Sequence, residues 1–573
     1  MMRPVWDLLP TAPAAECAAL AGAVGVPEVV ARLLWQRGVQ RADEALQFLT
    51  PTMAQLHDPG LLTGVDTAVA RIRAAVAAGD AIVVHGDYDV DGITSTVILR
   101  KALELLGARV SHFIPERLRD GYGLQPASID RLHAAGARLI ISVDCGIRAS
   151  DAAARARELG VDLIITDHHE PDHVLPEALA VINPKRPDCA YPDKHLAGVG
   201  VALKLVQALC MAVGQPQWLQ GFLKLAAIGT VADVVPLVGE NRVIAALGLD
   251  ALSTGPNRVG LRALIDAAGY AGKTLDSVSV GFGLAPRLNA AGRMSSPDLA
   301  ARLLLLSDET DADTARSLAT QLNDENTRRQ EEEAGIVQAA RALVQQNPDI
   351  GARTVLVVAG EQWHRGVIGI VASKLVDAFH RPAIVLSIEN GIAHGSCRSI
   401  PHFDMLSALE SAAPLLTRFG GHRQAAGLTM DAARIREFRE AVNAFADAVL
   451  SPDDLRPRLT IHAELGLGAI DQPLAAAVAT LAPFGAANPK PMFAARGVRL
   501  IDGPKVMAER HLSMTLQHEG RAFRAVAWRA AGQKDDVAAH RDALDIAYSI
   551  DINRFRGDTR VELTLTDIRP AGA

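Results

Sequence analysis

Three aspartates alternate in the stretch HGDYDVDG, at Asp87, Asp89 and Asp91, and a glycine follows them. An EF-hand calcium loop shares the D-x-D-x-D-G spacing, but it follows a helix and has Glu at its twelfth position. Here the twelfth position is Ile98, and the apolar run at residues 81–84 is typical of a buried strand. The sequence therefore argues against a calcium loop, and other residues must explain the three carboxylates.

Acidic and imidazole side chains also follow two other short apolar runs. Asp144 ends RLIISVD, and Asp167, His168 and His169 follow VDLIIT. Because ligands of an open parallel sheet bind outside the carboxyl ends of its strands, we expect these side chains to lie near the three aspartates. Asp233, in IGTVADVVPL, follows a predicted helix and could reach the same edge of the sheet.

A cluster of four carboxylates would be strongly repulsive without counter-charges. At about 5 Å and an effective dielectric constant near 20, each pair repels by roughly 3 kcal/mol. Two divalent cations cancel four negative charges, and oxygen ligands with a few imidazoles suit Mn²⁺ or Mg²⁺. The five cysteines are scattered and form no CxxC pair, which argues against a zinc site. We therefore expect a centre with two divalent cations, Mn²⁺ or Mg²⁺.

The composition is that of a soluble globular chain with several domains, since 49% of its 573 residues are hydrophobic. No run of 18 apolar residues is present, and Asp7 and Glu16 interrupt the apolar N-terminal stretch, so we expect no membrane span and no secretory signal. The scattered cysteines favour a reducing, cytoplasmic location. With a net charge of -7, any surface for nucleic acid must be locally basic or must use metal ions.

The pattern of short apolar runs predicts an α/β chain that ends in a β-barrel. Strands alternate with helices between residues 81 and 240, which favours a parallel sheet. A proline-free stretch predicts one long helix at about 307–345, with two helices joined by a kink as the alternative. After a polar linker, a series of short strand-like runs predicts a five-stranded barrel. The predicted domains are a helical cap (1–50), an α/β domain (51–300), a connecting long helix (301–350), a second α/β domain (351–450) and the barrel (455–573).

Four motifs occur in a fixed order, HGDYDVDG, SVDCG, TDHH and VADVVPL, and together they resemble the DHH phosphoesterase superfamily. Further along, APRLNAAGR, WHRGVIGIVASKL, SCRS and GGHRQAAG are similar to segments of one of its families, the RecJ single-strand-specific 5′→3′ DNA exonucleases. The similarity extends from LLWQRGVQRADEALQFLTP near the start to the terminal barrel. It implies a DHH domain, a DHH-associated domain and an OB-fold, a barrel that binds single strands.

The resemblance also implies roles for individual residues. Asp144 is expected to bridge both cations, and His169 is expected to contact the scissile phosphate. Asp87 is either a further ligand or a neighbour that orients His85 or a water molecule. The residues that match the metal-ligand positions of the superfamily are His85, Asp89, Asp91, Asp144, His168 and Asp233.

RecJ-like enzymes are implied to hold the 5′ end of the strand with residues of the second α/β domain. Glycine permits the backbone to approach a phosphate closely, and arginine makes bidentate phosphate contacts. Phe523, Trp528 and Phe555 of the barrel are candidates for base stacking, with packing in the barrel core as the alternative for the first two. The candidate residues for the 5′ phosphate and the DNA are Arg287, Arg293, Ser396, Arg398, Gly421 and His422.

The function implied is a metal-dependent 5′→3′ exonuclease that releases 5′-mononucleotides from single-stranded DNA in recombination and repair. The alternatives are a small-substrate phosphoesterase of the superfamily, such as a nanoRNase or an adenosine-bisphosphate phosphatase, and a non-catalytic replication scaffold. The barrel of about 115 residues favours a polymeric substrate, and the presence of every expected ligand argues against a scaffold. We expect a monomer that acts on a 5′ end, with a helicase and a single-strand-binding protein as candidate partners.

Overall fold

The structure is a computed structural model that describes residues 3–116, 119–121, 123–555 and 558–572, with backbone alone at 554 and 555. The chain divides into two compact units. We call them the large unit, which comprises Trp6–Ala285, Leu304–Asp308 and Arg458–Ala573, and the small unit, which is formed mainly by Pro286–Leu303 and Glu309–Pro457.

The N-terminal segment consists of a short strand and three helices. The strand β1 (Val5–Leu8) was not predicted, and it pairs with a strand that follows the linker at 451–457. Gly25 ends the first helix in the left-handed conformation, with φ 74°. Buried side chains of the first two helices, such as Leu33 and Leu34, share one apolar core with the C-terminal barrel. The helices are Ala14–Val24, Glu28–Gln36 and Ala42–Leu49.

The predicted parallel sheet is present in the large unit. Its strands are β2 (Ile82–His85), β3 (Val110–Phe113), β4 (Leu139–Val143), β5 (Asp162–Thr166) and β6 (Ala180–Ile182). All neighbours are parallel, in the order β3-β2-β4-β5-β6. The strand order reverses between β2 and β4, and the carboxyl ends at such a switch point are the usual ligand site of an α/β sheet.

Helices flank this sheet and then continue the large unit. The backbone of Val280–Leu284 forms a π-helical turn rather than an α-helix. The helices near the sheet are Val65–Ala78, Val90–Leu105, Pro126–Ala134 and Ser150–Glu158, and those that follow it in the large unit are Gly198–Ala212, Leu223–Ala232, Gly239–Thr254, Val259–Ala267 and Ser277–Ser279. The next two helices, Ala285–Met294 and Asp298–Leu305, belong mainly to the small unit.

A buried ion pair joins two of these helices. Lys204 and Glu240 are 0% and 1% exposed, and Lys204 Nζ lies 2.9 Å from Glu240 Oε1. The Glu240 carboxylate also accepts hydrogen bonds from the Tyr191 hydroxyl and from the His57 amide. Because the carboxylate is removed from water, it depends on these partners for compensation of its charge.

Replacing Lys204 with methionine is expected to lower the free energy of unfolding of the large unit by about 3–5 kcal/mol, since Glu240 would stay buried without its cation. Urea unfolding followed by tryptophan fluorescence measures this loss. The matched control is Lys505→Met, which removes an exposed partner of Asp502 and should change the unfolding midpoint little. Equal midpoints for the two variants would contradict the assigned role of the buried pair.

The small unit contains the predicted long helix as one element, Ala312–Gln346. It begins five residues later than the sequence suggested, because Glu309–Asp311 forms a 3₁₀ turn before it. Ser307, just before that turn, accepts a hydrogen bond from Lys101 Nζ at 3.2 Å.

The second sheet also lies in the small unit and is mixed. Its strands are β7 (Leu356–Glu361), β8 (Ala383–Glu389), β9 (Ile392–Arg398), β10 (Arg418–His422) and β11 (Ala425–Asp431). Only β7 and β8 are parallel, and the order is β10-β11-β9-β8-β7. The helices of this domain are Ile368–Phe379, Met405–Ser411 and Ile435–Val449.

The C-terminal domain contains a closed five-stranded barrel, as predicted. The strands of the whole domain are β12 (Arg458–Ile461), β13 (Ala463–Glu464), β14 (Phe493–Met507), β15 (His511–His518), β16 (Arg521–Ala527), β17 (Leu544–Phe555) and β18 (Asp558–Pro570). The closed order is β14-β15-β16-β18-β17, and β17 pairs again with β14. The first strand-like run, RLTIHAEL, lies outside the closed barrel, since β12 pairs with β1 and β13 has two residues.

Within the described residues, no helix by itself has the length and apolar character needed to cross a membrane. The helices Ala14–Val24 and Glu28–Gln36 meet the criterion of length and composition only as a pair, and they are bent by 110° relative to each other.

Candidate metal centre

The loop that leaves β2 carries four of the predicted site residues. His85 is the last residue of β2 and is fully buried. Asp89 is the N-cap of the following helix, where its Oδ1 accepts a hydrogen bond from the Gly92 amide at 3.0 Å. A Cβ on Gly92 would lie 2.5 Å from the Asp87 carbonyl oxygen. The first turn of the helix can therefore pack against the backbone of Asp87 only because residue 92 is glycine.

Asp91 is bound at the start of another helix, Gly198–Ala212. Its Oδ2 accepts from the Gly198 amide and its Oδ1 from the Val199 amide, both at 2.7 Å. The free amides and the dipole at a helix N-terminus favour a negative charge at this position. The two hydrogen bonds therefore hold a buried carboxylate in one orientation, with Oδ2 3.9 Å from His168 Nε2.

Asp144 follows β4 in the left-handed conformation, with φ 59°. This backbone is uncommon for a residue other than glycine, and it occurs often at functional sites. The side chain is 2% exposed, and its Oδ1 lies 3.2 Å from His168 Nε2. A Cβ on Gly198 would lie 2.4 Å from that same oxygen. The glycine therefore makes room for the carboxylate.

Asp167 organises the two histidines that follow it, a role that the sequence analysis did not assign. Its Oδ1 accepts hydrogen bonds from the backbone amides of His168 and His169 and lies 2.7 Å from His169 Nδ1, while Oδ2 accepts from the Ile147 amide. The sequence pattern that indicates this role is an aspartate immediately before two histidines, because its carboxylate can accept hydrogen bonds from the next two backbone amides. Asp167 thereby fixes the backbone at both histidines and orients the His169 imidazole.

Asp233 reaches the site from the end of the helix Leu223–Ala232 rather than from a strand. Its Oδ2 lies 3.6 Å from His168 Nε2. Val234, the next residue, has φ 61°, which is rare for a β-branched residue. His168 Nε2 therefore lies within 4 Å of three carboxylates, those of Asp91, Asp144 and Asp233.

Buried polar atoms without a hydrogen-bond partner lie at the carboxyl ends of the parallel strands and fit divalent metal ions. In the described part of the chain they include one atom each of four predicted ligands, which are His85 Nε2, Asp144 Oδ1, His168 Nε2 and Asp233 Oδ2. An unpaired buried polar atom is costly unless something compensates it. Three groups of side chains have ligand atoms within 4.8 Å of one another: Asp87 with Asp89 and Asp144, Asp91 with His168 and Asp233, and Asp144 with His168 and His169.

Burial and mutual repulsion raise the pKa values of the carboxylates in this cluster, a shift that bound cations would reverse, and burial lowers those of the imidazoles. Burial, with repulsion from neighbouring carboxylates, raises the pKa of Asp91 and Asp144 well above the ordinary value and raises that of Asp233 to about 7. Burial lowers the pKa of His85 to about 4 and that of His168 to about 3. Neutral imidazoles and carboxylates that need positive charge form a ligand set suited to Mn²⁺ or Mg²⁺.

Two site residues have shifts that favour their charged forms. Although burial opposes it, the hydrogen bond from His169 holds the pKa of Asp167 below its usual range. The same contact raises the pKa of His169 despite its partial burial. Asp87 differs, because burial and the Asp89 charge raise its pKa to about 8. Its Oδ1 accepts a hydrogen bond from the Tyr88 amide at 2.8 Å.

The small unit brings several of the predicted phosphate-binding residues onto neighbouring strands. In the register of β9, β11 and β10, Arg398 lies opposite Ala425, and Ala425 lies opposite His422. Ser396 lies two residues before Arg398 on the same face of β9. A Cβ on Gly421 would lie 2.5 Å from the Ala425 carbonyl oxygen, so the two strands approach closely.

The two other predicted arginines lie on the helix Ala285–Met294. Arg293 Nη1 donates to the Gly366 carbonyl at 2.9 Å, just before the helix Ile368–Phe379. A Cβ on Gly369, in the first turn of that helix, would lie 2.9 Å from Ser396 Oγ. Arg293 is thus connected to the Ser396 region, whereas Arg287 Nε donates to Asn323 Oδ1 of the long helix at 3.1 Å.

The barrel aromatics differ in their surroundings. Phe523 packs against the barrel core. Trp528 lies just beyond β16 and is 60% exposed, with its ring edge-on to His511 at 4.8 Å between centroids. The side chain of Phe555 lies outside the described residues.

Three family models match the chain. The model of the DHH family N-terminal domain matches residues 81–230, that of the DHHA1 domain matches residues 352–448, and that of the RecJ OB domain matches residues 461–567. The first contains the loop after β2, the Asp144 turn and the paired histidines described above.

Individual relatives match over most of the chain. The single-stranded-DNA-specific exonuclease RecJ of Bacillus subtilis (strain 168) is 40% identical over 546 residues, which cover 95% of this chain and 68% of that protein. Crystal structures of RecJ from Thermus thermophilus in complex with Mn²⁺ and with Mg²⁺ have TM-scores of 0.84 and 0.79. They are 33% and 32% identical, and the matches cover 99% of this chain and 80% and 79% of theirs. The matched domains and the length of these alignments mean that this chain belongs to the RecJ family of the DHH phosphoesterase superfamily.

Proposed function

We propose that this chain is a single-strand-specific 5′→3′ exodeoxyribonuclease that releases 5′-mononucleotides with two divalent cations, Mn²⁺ or Mg²⁺, in recombination and repair. The observation that carries the proposal is the convergence of buried, unpartnered carboxylate and imidazole atoms at the switch point of the parallel sheet. Its RecJ relatives are single-stranded-DNA-specific exonucleases, and the solved structures of one of them hold Mn²⁺ or Mg²⁺.

The chain's own residues would hold the cations and fix the geometry around them. When bound, the two cations would lower the pKa of a water molecule and take up negative charge on the phosphoryl oxygens. The helix amides that bind Asp91 and the glycine beside Asp144 keep the two carboxylates turned towards His168. The ligands that we propose are His85, Asp89, Asp91, Asp144, His168 and Asp233, with Asp87 as a further ligand or as a neighbour that orients His85 or a water molecule.

His169 would contact the scissile phosphate. Its Nδ1 faces Asp167, which leaves Nε2 for a substrate oxygen, and the side chain is 39% exposed. The raised pKa of His169 favours a protonated imidazole that donates to a phosphate. Asp167 would act through His169, since it keeps the ring oriented and stabilises its positive charge.

The small unit would bind the 5′ phosphate. Arg398 and Ser396 lie on β9 beside the start of a helix, and His422 lies in the same row of the sheet as Arg398. Arginine, a hydroxyl and an imidazole next to exposed glycine backbone suit a terminal phosphate. Recognition of that group would make the enzyme act from 5′ ends.

The test uses single strands that carry a label at the 5′ or the 3′ end, incubated with Mn²⁺. Early release of a labelled mononucleotide from the 5′-labelled strand, with slow loss of length from the 3′-labelled strand, is the expected result. Hydrolysis of dinucleotides or adenosine bisphosphate without hydrolysis of longer strands would replace this proposal with the small-substrate function. No hydrolysis of any of them would support the scaffold. A helicase or single-strand-binding partner, a monomeric state and a cytoplasmic location stay predictions from the sequence.

Replacing Arg398 with alanine is expected to weaken binding of a 5′-phosphorylated strand by roughly 10- to 100-fold, the usual worth of a charge-assisted contact. Binding of a 5′-hydroxyl strand should change much less. Fluorescence anisotropy with both strands measures the difference. Arg434→Ala, which removes an exposed arginine that pairs with Glu437 of the same unit, is the control. An equal loss for the two strands would remove Arg398 from the phosphate site.

A further inference from the structure

Three apolar side chains are exposed on the large unit close to Asp233. Phe282 is 81% exposed, Val234 is 70% exposed and Val278 is 59% exposed. We call these three residues the apolar step. Large apolar side chains that face water in a group usually mark an interaction site.

The apolar step is adjacent to the metal centre. Val234 directly follows Asp233, whose carboxylate lies 3.6 Å from His168. The π-helical turn that carries Phe282 packs on the same helix that ends at Asp233, since a Cβ on Gly281 would lie 4.0 Å from Val231 Cγ1. The two chain segments of the step therefore meet beside the end of that helix.

A loop of the C-terminal domain holds these two segments together. Ser277, next to Val278, donates its hydroxyl to the Phe484 carbonyl, at 2.6 Å. The Leu237 amide, three residues after Val234, donates to the Ala486 carbonyl at 2.8 Å. Residues 484–486 thus make hydrogen bonds to both chain segments of the apolar step. The step therefore lies between this loop of the barrel domain and the metal centre.

The backbone directs Phe282 outward. Its neighbours point elsewhere: Val280 and Leu284 are fully buried, and a Cβ on Gly283 would clash with the Tyr270 ring at 2.3 Å. Val234 holds a left-handed backbone with φ 61°, a strain that folded proteins retain mainly at functional positions. π-helical turns inside helical segments are also frequent at such positions. The backbone conformation of these two segments therefore determines that the side chains of the apolar step are exposed.

The charge beside the step suits a nucleic-acid strand. Lys273 Nζ lies 5.5 Å from the centroid of the Tyr270 ring, and that ring lies against Gly283. Lys273 thus lies on the half-buried ring that contacts the residue after Phe282. Proteins bind single strands with cations and exposed aromatic rings in one region, since a ring stacks on a base while a cation meets the phosphates.

We propose that the apolar step is a stacking platform for a base of the single strand beside the metal centre, with Phe282 as the ring that the base covers. This inference rests on the proposed exonuclease function and adds a base-contacting residue to it. Contact with a ring is tolerant of sequence, because every base has a flat face. The platform would therefore bind any sequence but would not bind a strand that lacks bases.

The experiment compares two 5′-phosphorylated strands of equal length, one of thymidylates and one of abasic residues. Binding is measured by fluorescence anisotropy with EDTA present, so that neither strand is hydrolysed. The wild-type protein should bind the abasic strand more weakly, and Phe282→Ala should weaken binding of the thymidylate strand by roughly 5- to 100-fold, the worth of one stacked base. The abasic strand should lose much less affinity on the same substitution.

Two further variants keep the test decisive. Phe282→Trp should restore the affinity for the thymidylate strand, and its added fluorescence should be quenched by that strand but not by the abasic one. Leu105→Ala, which removes an exposed apolar side chain elsewhere in the large unit, should leave both affinities unchanged. If Phe282→Ala weakens binding of both strands equally, or of neither strand, the stacking platform is refuted. The proposed exonuclease function is not affected by that result. If the wild-type protein degrades no labelled strand in Mn²⁺, the exonuclease itself is refuted.

Discussion

Replacing Asp144 with asparagine is expected to lower the rate of strand hydrolysis by on the order of 10³-fold or more. Its Oδ1 is buried, unpartnered and 3.2 Å from His168 Nε2, and no other described carboxylate lies as close to that nitrogen. Asparagine has the same size as aspartate, so it still fills the space next to Gly198. What the variant loses is the negative charge that would bind the cations.

Thermal unfolding separates this loss from misfolding. In EDTA the Asp144→Asn variant should unfold at the same temperature as the wild-type protein or higher, because one of several repelling carboxylates is gone. In Mn²⁺ the wild-type protein should gain stability through binding, and the variant should gain much less. Asp172→Asn, at an exposed partner of Arg148, is the control. Retained hydrolysis in Asp144→Asn would exclude Asp144 from the metal site.

Replacing Gly198 with alanine is expected to lower Mn²⁺ affinity and hydrolysis by about 10- to 100-fold, the usual effect of disturbing a residue that supports metal ligands. The added Cβ would lie 2.4 Å from Asp144 Oδ1 and 2.7 Å from Asp144 Cβ, so the carboxylate has to move. The amide of the same residue binds Asp91. One methyl group would therefore disturb two ligands at once.

Isothermal titration with Mn²⁺ measures the affinity directly, without reference to hydrolysis. Gly221→Ala is the matched control, since a Cβ there has nothing within 4 Å and the residue has no left-handed backbone. That variant should bind Mn²⁺ as the wild-type protein does. An unchanged Mn²⁺ affinity in Gly198→Ala would mean that the carboxylate can relax, or that Asp144 is not a ligand.

The features of the fold that depend on local periodicity could be predicted from the sequence. Short β-branched runs before Asp87 and Asp144 indicated parallel strands. Because ligands of an open α/β sheet bind outside the carboxyl ends of its strands, His85, Asp144 and His168 could be predicted to lie at one edge of the sheet. The barrel could be predicted for the same reason, because each of its five strands contains a short strand-like run of the sequence. These elements are determined by neighbours along the chain, so a single sequence contains the information.

The parts that depend on contacts between distant residues could not be predicted. Nothing near Asp91 indicates that the amides of Gly198 and Val199 bind it, because those amides lie more than a hundred residues away. The first residue of the long helix could not be predicted either, because the chain forms a 3₁₀ turn at Glu309–Asp311 before the helix begins. Trp528 could not be assigned either, because it lies past the end of β16, where strand alternation no longer decides which side faces water.

The core that the N-terminal helices share with the barrel has a consequence for biosynthesis. Leu33 and Leu34 pack in the same cluster as Phe493 and Tyr548, which are synthesised more than 450 residues later. At ordinary elongation rates the delay is roughly half a minute or more. During that time the apolar faces of the nascent helices have no native partner, so a chaperone that binds emerging chains is expected to hold them until the barrel strands are released.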